Sequence, residues 1–397
     1  MVRRMIAIGD IARRLLAIGA LILLTGCWDR IEINDRALVA ALYIDYNDDG
    51  SYEVSLGFPL PNRLSTGIGA PSSGGNNNPF AVVSKTAPNV PEAIRKIRSD
   101  LTREINWGHA RIIVFGRRMA EHGIKPVLEM VSREPTFHIK SYIMVAPRKA
   151  KDITNLTPVF ERFPSEVLRE FESMRLIPRT TVKDALESFE FGGDFVTSLL
   201  TMGEISMLSE RGKVSPWAGT DGAAVFREGK MVGSFDVKEM RAGLWLQDEM
   251  QSALITMRAK KDGKPVSFLI LRSKATISPR LAAGRLSFTL RVEAQDDVNS
   301  SESSVDLTDP AQIKAMEQEL SDILRARLER AITHSQKMKV DAFELARHVE
   351  WRYPRYWKQI EPDWREIYSK MDVQVEAKVA IKRMGTEKNP VWIKQEK

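Results

Sequence analysis

Hydrophobic positions along this chain change their period from stretch to stretch, and each change marks an element. Leu38 to Tyr46 is apolar and partly alternating, which reads as a strand. Asn47-Asp48-Asp49-Gly50 then supplies a turn and Tyr52 to Phe58 alternates again, predicting a β-hairpin. Phe80 to Val83 reads as the next strand. Val90, Ile94, Ile97, Leu101 and Ile105 form one helical stripe, opened by Pro91 where a missing N–H costs nothing. Arg111 to Gly116 is a buried-type strand, Ile124, Val127, Leu128 and Val131 predict a helix, and Ile139 to Ala146 a further strand. That order is a βαβ unit, which implies adjacent parallel strands.

From Ala150 to Pro216 the texture turns to short helical pieces. One runs from Phe160 to Phe171 with a restart near Pro164, and Thr181 to Asp184 resembles a capping box. Gly222 to Gly233 reads as two strands around Glu228-Gly229-Lys230, and Val237 to Leu246 as a helix. Val266 to Leu271, Ala275 to Ile277 and Leu286 to Val292 are strand-like, the last with one wet face; Asp296 to Asp309 reads as a polar loop. Ile313, Met316, Leu320, Ile323, Leu324, Leu328 and Ile332 give the strongest helical period in the chain. A helix from Asp341 to Trp351 resumes after Pro354, and Val373 to Val379 is a final strand, antiparallel by preference.

The expected class is α+β: three domains, each with a mixed or antiparallel sheet flanked by helices, after a cleaved leader. An N-terminal α+β domain covers 37–149, with a mobile Gly/Ser/Asn-rich loop at 61–79 between two of its strands. A small, mainly helical middle domain covers 150–216, a C-terminal α+β domain 217–385, and a tail 386–397. At 397 residues the chain is too long for one core, and 43% hydrophobic residues suffice to build several.

Residues 1–26 break this pattern. An apolar run from Leu15 to Leu24 follows Arg3, Arg4, Arg13 and Arg14. Ten residues make roughly 15 Å of helix, about half of a ~30 Å hydrocarbon core, so the run suits a signal peptide better than a membrane span. It ends at Leu24-Thr25-Gly26-Cys27, a lipobox like that of bacterial lipoproteins. Cys27 is the only cysteine, so no disulfide can form within the chain. The expected outcome is cleavage before Cys27, a diacylglyceryl thioether on its sulfur, and a polar tether at 27–36. The mature protein then sits on the outer face of a bacterial membrane. Trp28 either rests at the bilayer interface or packs on the first domain.

Charge and motifs narrow the chemistry. Losing the leader's four arginines and one aspartate takes the net charge from +7 to +4, with both signs interspersed, which gives no basic stripe for nucleic acid. Asp45, Asp48 and Asp49 lack the EF-hand spacing and read as turn residues. The five histidines are scattered and no zinc spacing exists, so no metal and no cofactor are expected. There is no Gly-x-Ser-x-Gly elbow, His-Glu-x-x-His or phosphate loop, and the reading is not an enzyme. Trp351, Tyr353, Tyr356, Trp357 and Trp364 lie among basic residues, where helix-to-sheet packing is the expected use.

At Cys27-Trp28-Asp29-Arg30-Ile31-Glu32-Ile33-Asn34-Asp35 the sequence resembles the Ger(x)C family, the lipoprotein C subunits of spore germinant receptors. The resemblance continues at His109 to Gly116, Ala120 to Ile124 and Arg133-Glu134-Pro135. It returns at Gly222 to Phe226, Lys230 to Gly233, Glu239 and Gly243-Leu244-Trp245. It implies a three-domain α+β fold and a place on the outer face of the inner spore membrane. The implied companions are a membrane-embedded A subunit and a transporter-like B subunit that respond to nutrients. No catalytic residue is implied; Cys27 is the lipidation site, and Trp28, Asp29, Arg30, Glu32 and Asn34 are the candidate partner contacts. The rival expectation is a solute-binding lipoprotein of a transporter, which requires two α/β lobes with repeated βαβ units.

Overall fold

The computed structural model describes residues 32–60, 78–207, 212–250 and 252–383. The leader, Cys27 to Arg30, loop residues 61–77 and the tail from 386 lie outside them.

The first half runs through β1 (Arg36–Leu38), β2 (Ala41–Tyr46), β3 (Tyr52–Pro59), β4 (Phe80–Ala87), α1 (Val90–Asp100), β5 (Glu104–Asn106), β6 (Ile112–Gly116), α2 (Arg117–His122), α3 (Lys125–Arg133) and β7 (Tyr142–Ala146). β2 and β3 form the expected hairpin. The Asn47 N–H donates to the Ser51 carbonyl (2.9 Å), and Gly50 takes φ +81°, a conformation open to glycine. β3 and β4, the strands joined through the loop, pair antiparallel. Asn89 caps α1 by accepting the Glu92 amide (2.9 Å), and Val90, Ala93 and Ile97 turn inward. β6–α3–β7 is the expected βαβ unit with parallel strands. Every residue of β6 is buried, because helices and loops cover both faces of a parallel sheet.

The chain continues through α4 (Pro164–Ser173), α5 (Val182–Ser188), β8 (Phe195–Met207), β9 (Lys213–Arg227), β10 (Lys230–Phe235) and α6 (Val237–Leu246). Thr181 and Asp184 form the capping box of α5. The helical texture expected up to Pro216 ends at Ser188 and a short 3-10 turn; from Phe195 the chain is strand. β8 lies inside the sheet beside β7, and a run buried on both faces carries no alternation by which to recognise it. The result is one eight-stranded sheet in the order β10-β9-β8-β7-β6-β2-β3-β4. Its centre is parallel and both flanks are antiparallel hairpins. Gly222 holds φ +96°, and a Cβ there would lie 2.0 Å from the Phe235 carbonyl oxygen. Gly222→Ala is therefore expected to destabilise the fold by about 1–3 kcal/mol, read by urea denaturation.

A second sheet follows, built from β11 (Ala253–Arg258), β12 (Pro265–Ala282), β13 (Arg285–Ser301) and β14 (Asp372–Arg383) in that spatial order. β12 unites two of the expected strands through a bulge near Ile270, and β13 extends to Ser301 through the start of the expected polar loop. Between β13 and β14 lie α7 (Pro310–Met338), α8 (Leu345–Arg352), α9 (Pro354–Ile360) and α10 (Trp364–Lys370). This helical crossover returns the chain to the end where β13 began. β14 thus pairs parallel to β13, correcting the antiparallel expectation. Ser321 and Glu317 of α7 accept the Val379 and Ile381 amides (2.9 and 2.8 Å), covering donors that an edge strand would otherwise expose. Trp357 and Trp364 are buried, as packing residues should be, and Tyr353 and Tyr356 are half-buried, whereas Trp351 is 69% exposed and departs from the packing expectation. The class is α+β, with sheets flanked by helices. One apolar cluster runs from Tyr43, Val114 and Val225 to Phe268, Leu290 and Leu324, so the two sheets share a core.

Candidate functional site

Of the residues singled out from the sequence, Cys27, Trp28, Asp29 and Arg30 lie outside the described residues. Glu32 is exposed, and its carbonyl accepts the Asp35 amide (3.0 Å) in a 3-10 turn, Ile33–Asp35, that also holds Asn34. The turn leads into β1 at the surface. Glu32 is not among the residues that line the cavity the fold builds elsewhere.

That cavity, of about 440 Å³, opens at the joint between the two sheets. Its walls come from the start of β8, the end of α6, the outer half of β12 and the segment leading into α8. Long-range polar contacts hold the joint. The Asp194 carboxylate accepts the Asp341 amide (2.9 Å) and pairs with Arg365 (2.9 Å), which also pairs with Glu228 and donates to the Gly192 carbonyl (2.6 Å). Asp341 caps α8 by accepting the Leu345 and Ala346 amides (2.9 and 2.7 Å), and it accepts the Trp364 indole N–H (3.1 Å). Burial pushes both carboxyls up, Asp341 to about 7, against the hydrogen bonds that favour their ionised forms.

A second set ties α6 to α7. Asp236 and Glu239 form a capping box, and nearly buried Glu239 meets Arg330 (3.1 Å) and His334 (3.2 Å). Glu239 and Trp245, both in the resemblance drawn from the sequence, are thus joint residues; Trp245 is fully buried.

The cavity wall itself is less well satisfied. Arg179 donates to the Tyr142 hydroxyl (3.0 Å) and lies over its ring, but its Nε is buried without a partner. Glu172, fully buried behind it, has Oε2 unpartnered; burial pushes its carboxyl up to about 9, with Arg179 opposing. Glu249 and Glu344 lie at the rim, and both Glu344 and Asp248 hold positive φ (+57°), a conformation that costs a non-glycine residue about 1–2 kcal/mol. Among the described residues no three His, Cys, Asp or Glu side chains converge as metal ligands. The arrangement can therefore enclose a small molecule.

Sequence reasoning missed this site because its members lie far apart in the chain: Asp194 and Asp341 are separated by 147 positions. The only local signals were the Gly192-Gly193 break and the family-like Gly243-Leu244-Trp245.

With this geometry in hand, comparison with known proteins is decisive. Residues 29–202 match the model of the spore germination protein N-terminal domain, and 221–385 match that of the spore germination B3/GerAC-like C-terminal domain. The chain is 24% identical to spore germination protein KC of Bacillus subtilis (strain 168) over 390 residues, covering 94% of this chain and 95% of that protein. It is 25% identical to spore germination protein B3 of the same organism over 388 residues, covering 92% and 96%. The crystal structure of the GerBC protein superimposes with a TM-score of 0.56 at 19% identity, over 86% of this chain and 96% of that one, and shows the fold to be the same. The chain belongs to the Ger(x)C family of spore germination proteins.

Proposed function

We propose that this protein is a lipid-anchored, non-enzymatic subunit of a nutrient germinant receptor. It acts by docking on a membrane-embedded A subunit and a transporter-like B subunit at the outer face of the spore inner membrane. One observation carries the reading: the Leu24-Thr25-Gly26-Cys27 lipobox runs directly into two germination-family regions in order, 29–202 and 221–385. Among the described residues no helix is long and apolar enough to cross a membrane. Two acyl chains on Cys27 give stable attachment where one would be marginal. Holding the soluble portion beside its partners raises their effective concentration. In this reading Trp28, Asp29, Arg30, Glu32 and Asn34 form the first contact strip. The solute-binding alternative gains no comparable support, since the two sheets differ in size and connectivity.

The test is Cys27→Ala. Alkyne-palmitate should label the wild type and not the variant, the variant should leave the membrane fraction, and nutrient germination should slow. Retention on membranes at wild-type levels would sink the anchor.

A further inference from the structure

We propose that the joint cavity is a binding site for a small organic cation with an apolar body, of the alkylammonium class. The proposal goes beyond the receptor reading and does not depend on the lipid anchor.

The cavity floor is apolar, with Phe195, Phe235, Leu244, Ile277 and Phe343 among its lining residues. Its rim carries Asp184, Glu249 and Glu344, three carboxylates within electrostatic reach of one another. Of the two arginines that line it, Arg347 has its charge answered by a carboxylate and Arg179 is held in place by a neutral partner. Arg179 is held by the Tyr142 hydroxyl and ring, and Arg347 pairs with Glu344 (2.9 Å) and lies over Phe191. Burial and Arg347 together lower the basicity of His348, so it adds no lasting positive charge. Glu249 is left over. It is half-buried; its backbone N–H donates to the Leu244 carbonyl (2.9 Å), but among the described residues its carboxylate takes part in no hydrogen bond or ion pair. Burial raises its carboxyl and Asp184 and Glu344 raise it further, with Arg179 and the more distant Arg175 opposing.

A half-enclosed wall on which carboxylates outnumber the two arginines attracts a cation more strongly than open surface does, because the local dielectric is low. Trp351 supplies a second, independent recognition element. It lines the same cavity as the carboxylates and meets the His348 ring edge to face (5.5 Å between centroids), yet is 69% exposed, which leaves much of the indole open to a ligand. An aromatic face next to an acid is the setting in which ammonium groups are held. The carboxylates do not converge closely enough for a metal ion. An organic cation spans the wider gap, and its hydrocarbon part covers the floor.

The experiment uses the full chain in phosphatidylcholine nanodiscs, with n-butylammonium titrated by calorimetry, butanoate as the oppositely charged counterpart, and empty discs subtracted. Butylammonium should bind saturably and butanoate should not. Glu249→Gln should weaken butylammonium binding roughly tenfold, the scale of one charge-assisted contact, and Trp351→Ala should weaken it several-fold. Equal binding of the two probes, absence of butylammonium binding, or an unchanged affinity in Glu249→Gln would overturn the proposal. Should Glu249→Gln lower the melting temperature, Glu344→Gln, whose side chain makes an ion pair with Arg347 (2.9 Å), serves instead, with the same loss expected and the same reversal if affinity is unchanged.

Discussion

Asp341→Ala is expected to cost about 3–5 kcal/mol of folding stability, the most damaging single change the joint offers. The side chain is 4% exposed and accepts three hydrogen bonds, from the Leu345 and Ala346 amides and the Trp364 indole. Alanine leaves all three donors buried without partners. Asp341→Asn keeps one good acceptor and should lose less. The pH dependence has a definite sign. The folded carboxyl titrates near 7 against an ordinary 3.8, so the folded state binds the proton more tightly. Stability contributed by Asp341 is full below the unfolded value and falls as pH rises toward 7, so the alanine deficit narrows over that window. Urea denaturation of the three proteins across that range measures it; a deficit below about 1 kcal/mol would show that the joint does not depend on this cap.

Asp296→Val should act in the opposite direction. Asp296 sits on the core side of β13 in step with Leu290, Val292 and Ala294, paired in register with Ile270 and Ile381. It is fully buried, and neither carboxylate oxygen has a partner. Burial first, and Asp297 next, push its carboxyl up to about 7. Because the folded value lies above the unfolded 3.8, stability is lost as pH rises between them, and the cost is complete above pH 7. Valine removes the charge and suits a strand, so the variant should be more stable by about 2–4 kcal/mol near pH 8, with the gain shrinking toward pH 4. No gain at alkaline pH would mean that the carboxylate has a counterpart in the working protein.

Where the sequence was legible, a single residue class had only one neighbour to satisfy. The Ile313-to-Ile332 stripe became α7 because one helix face is buried and the other wet. Thr181 with Asp184 and the Asn47–Gly50 turn were readable because their hydrogen bonds close within a few residues. The start of the strand at Phe195 was not, since Phe195 to Leu200 is buried on nearly every position and such a run shows neither period. Nor was the direction of β14, which is set by a crossover of four helices and not by any residue within the strand.

By itself the sequence determined the family, through a run from Trp28 onward that resembles germinant-receptor C subunits and follows the Leu24-Thr25-Gly26-Cys27 motif. These are local patterns, fixed by side-chain order. Only the tertiary structure decided that residues 41 to 235 share one sheet and that Asp194, Asp341 and Arg365 meet. It also decided that a cavity with an unpaired Glu249 lies between the sheets. Such features depend on contacts between residues more than a hundred positions apart, and chain order alone carries no record of those distances.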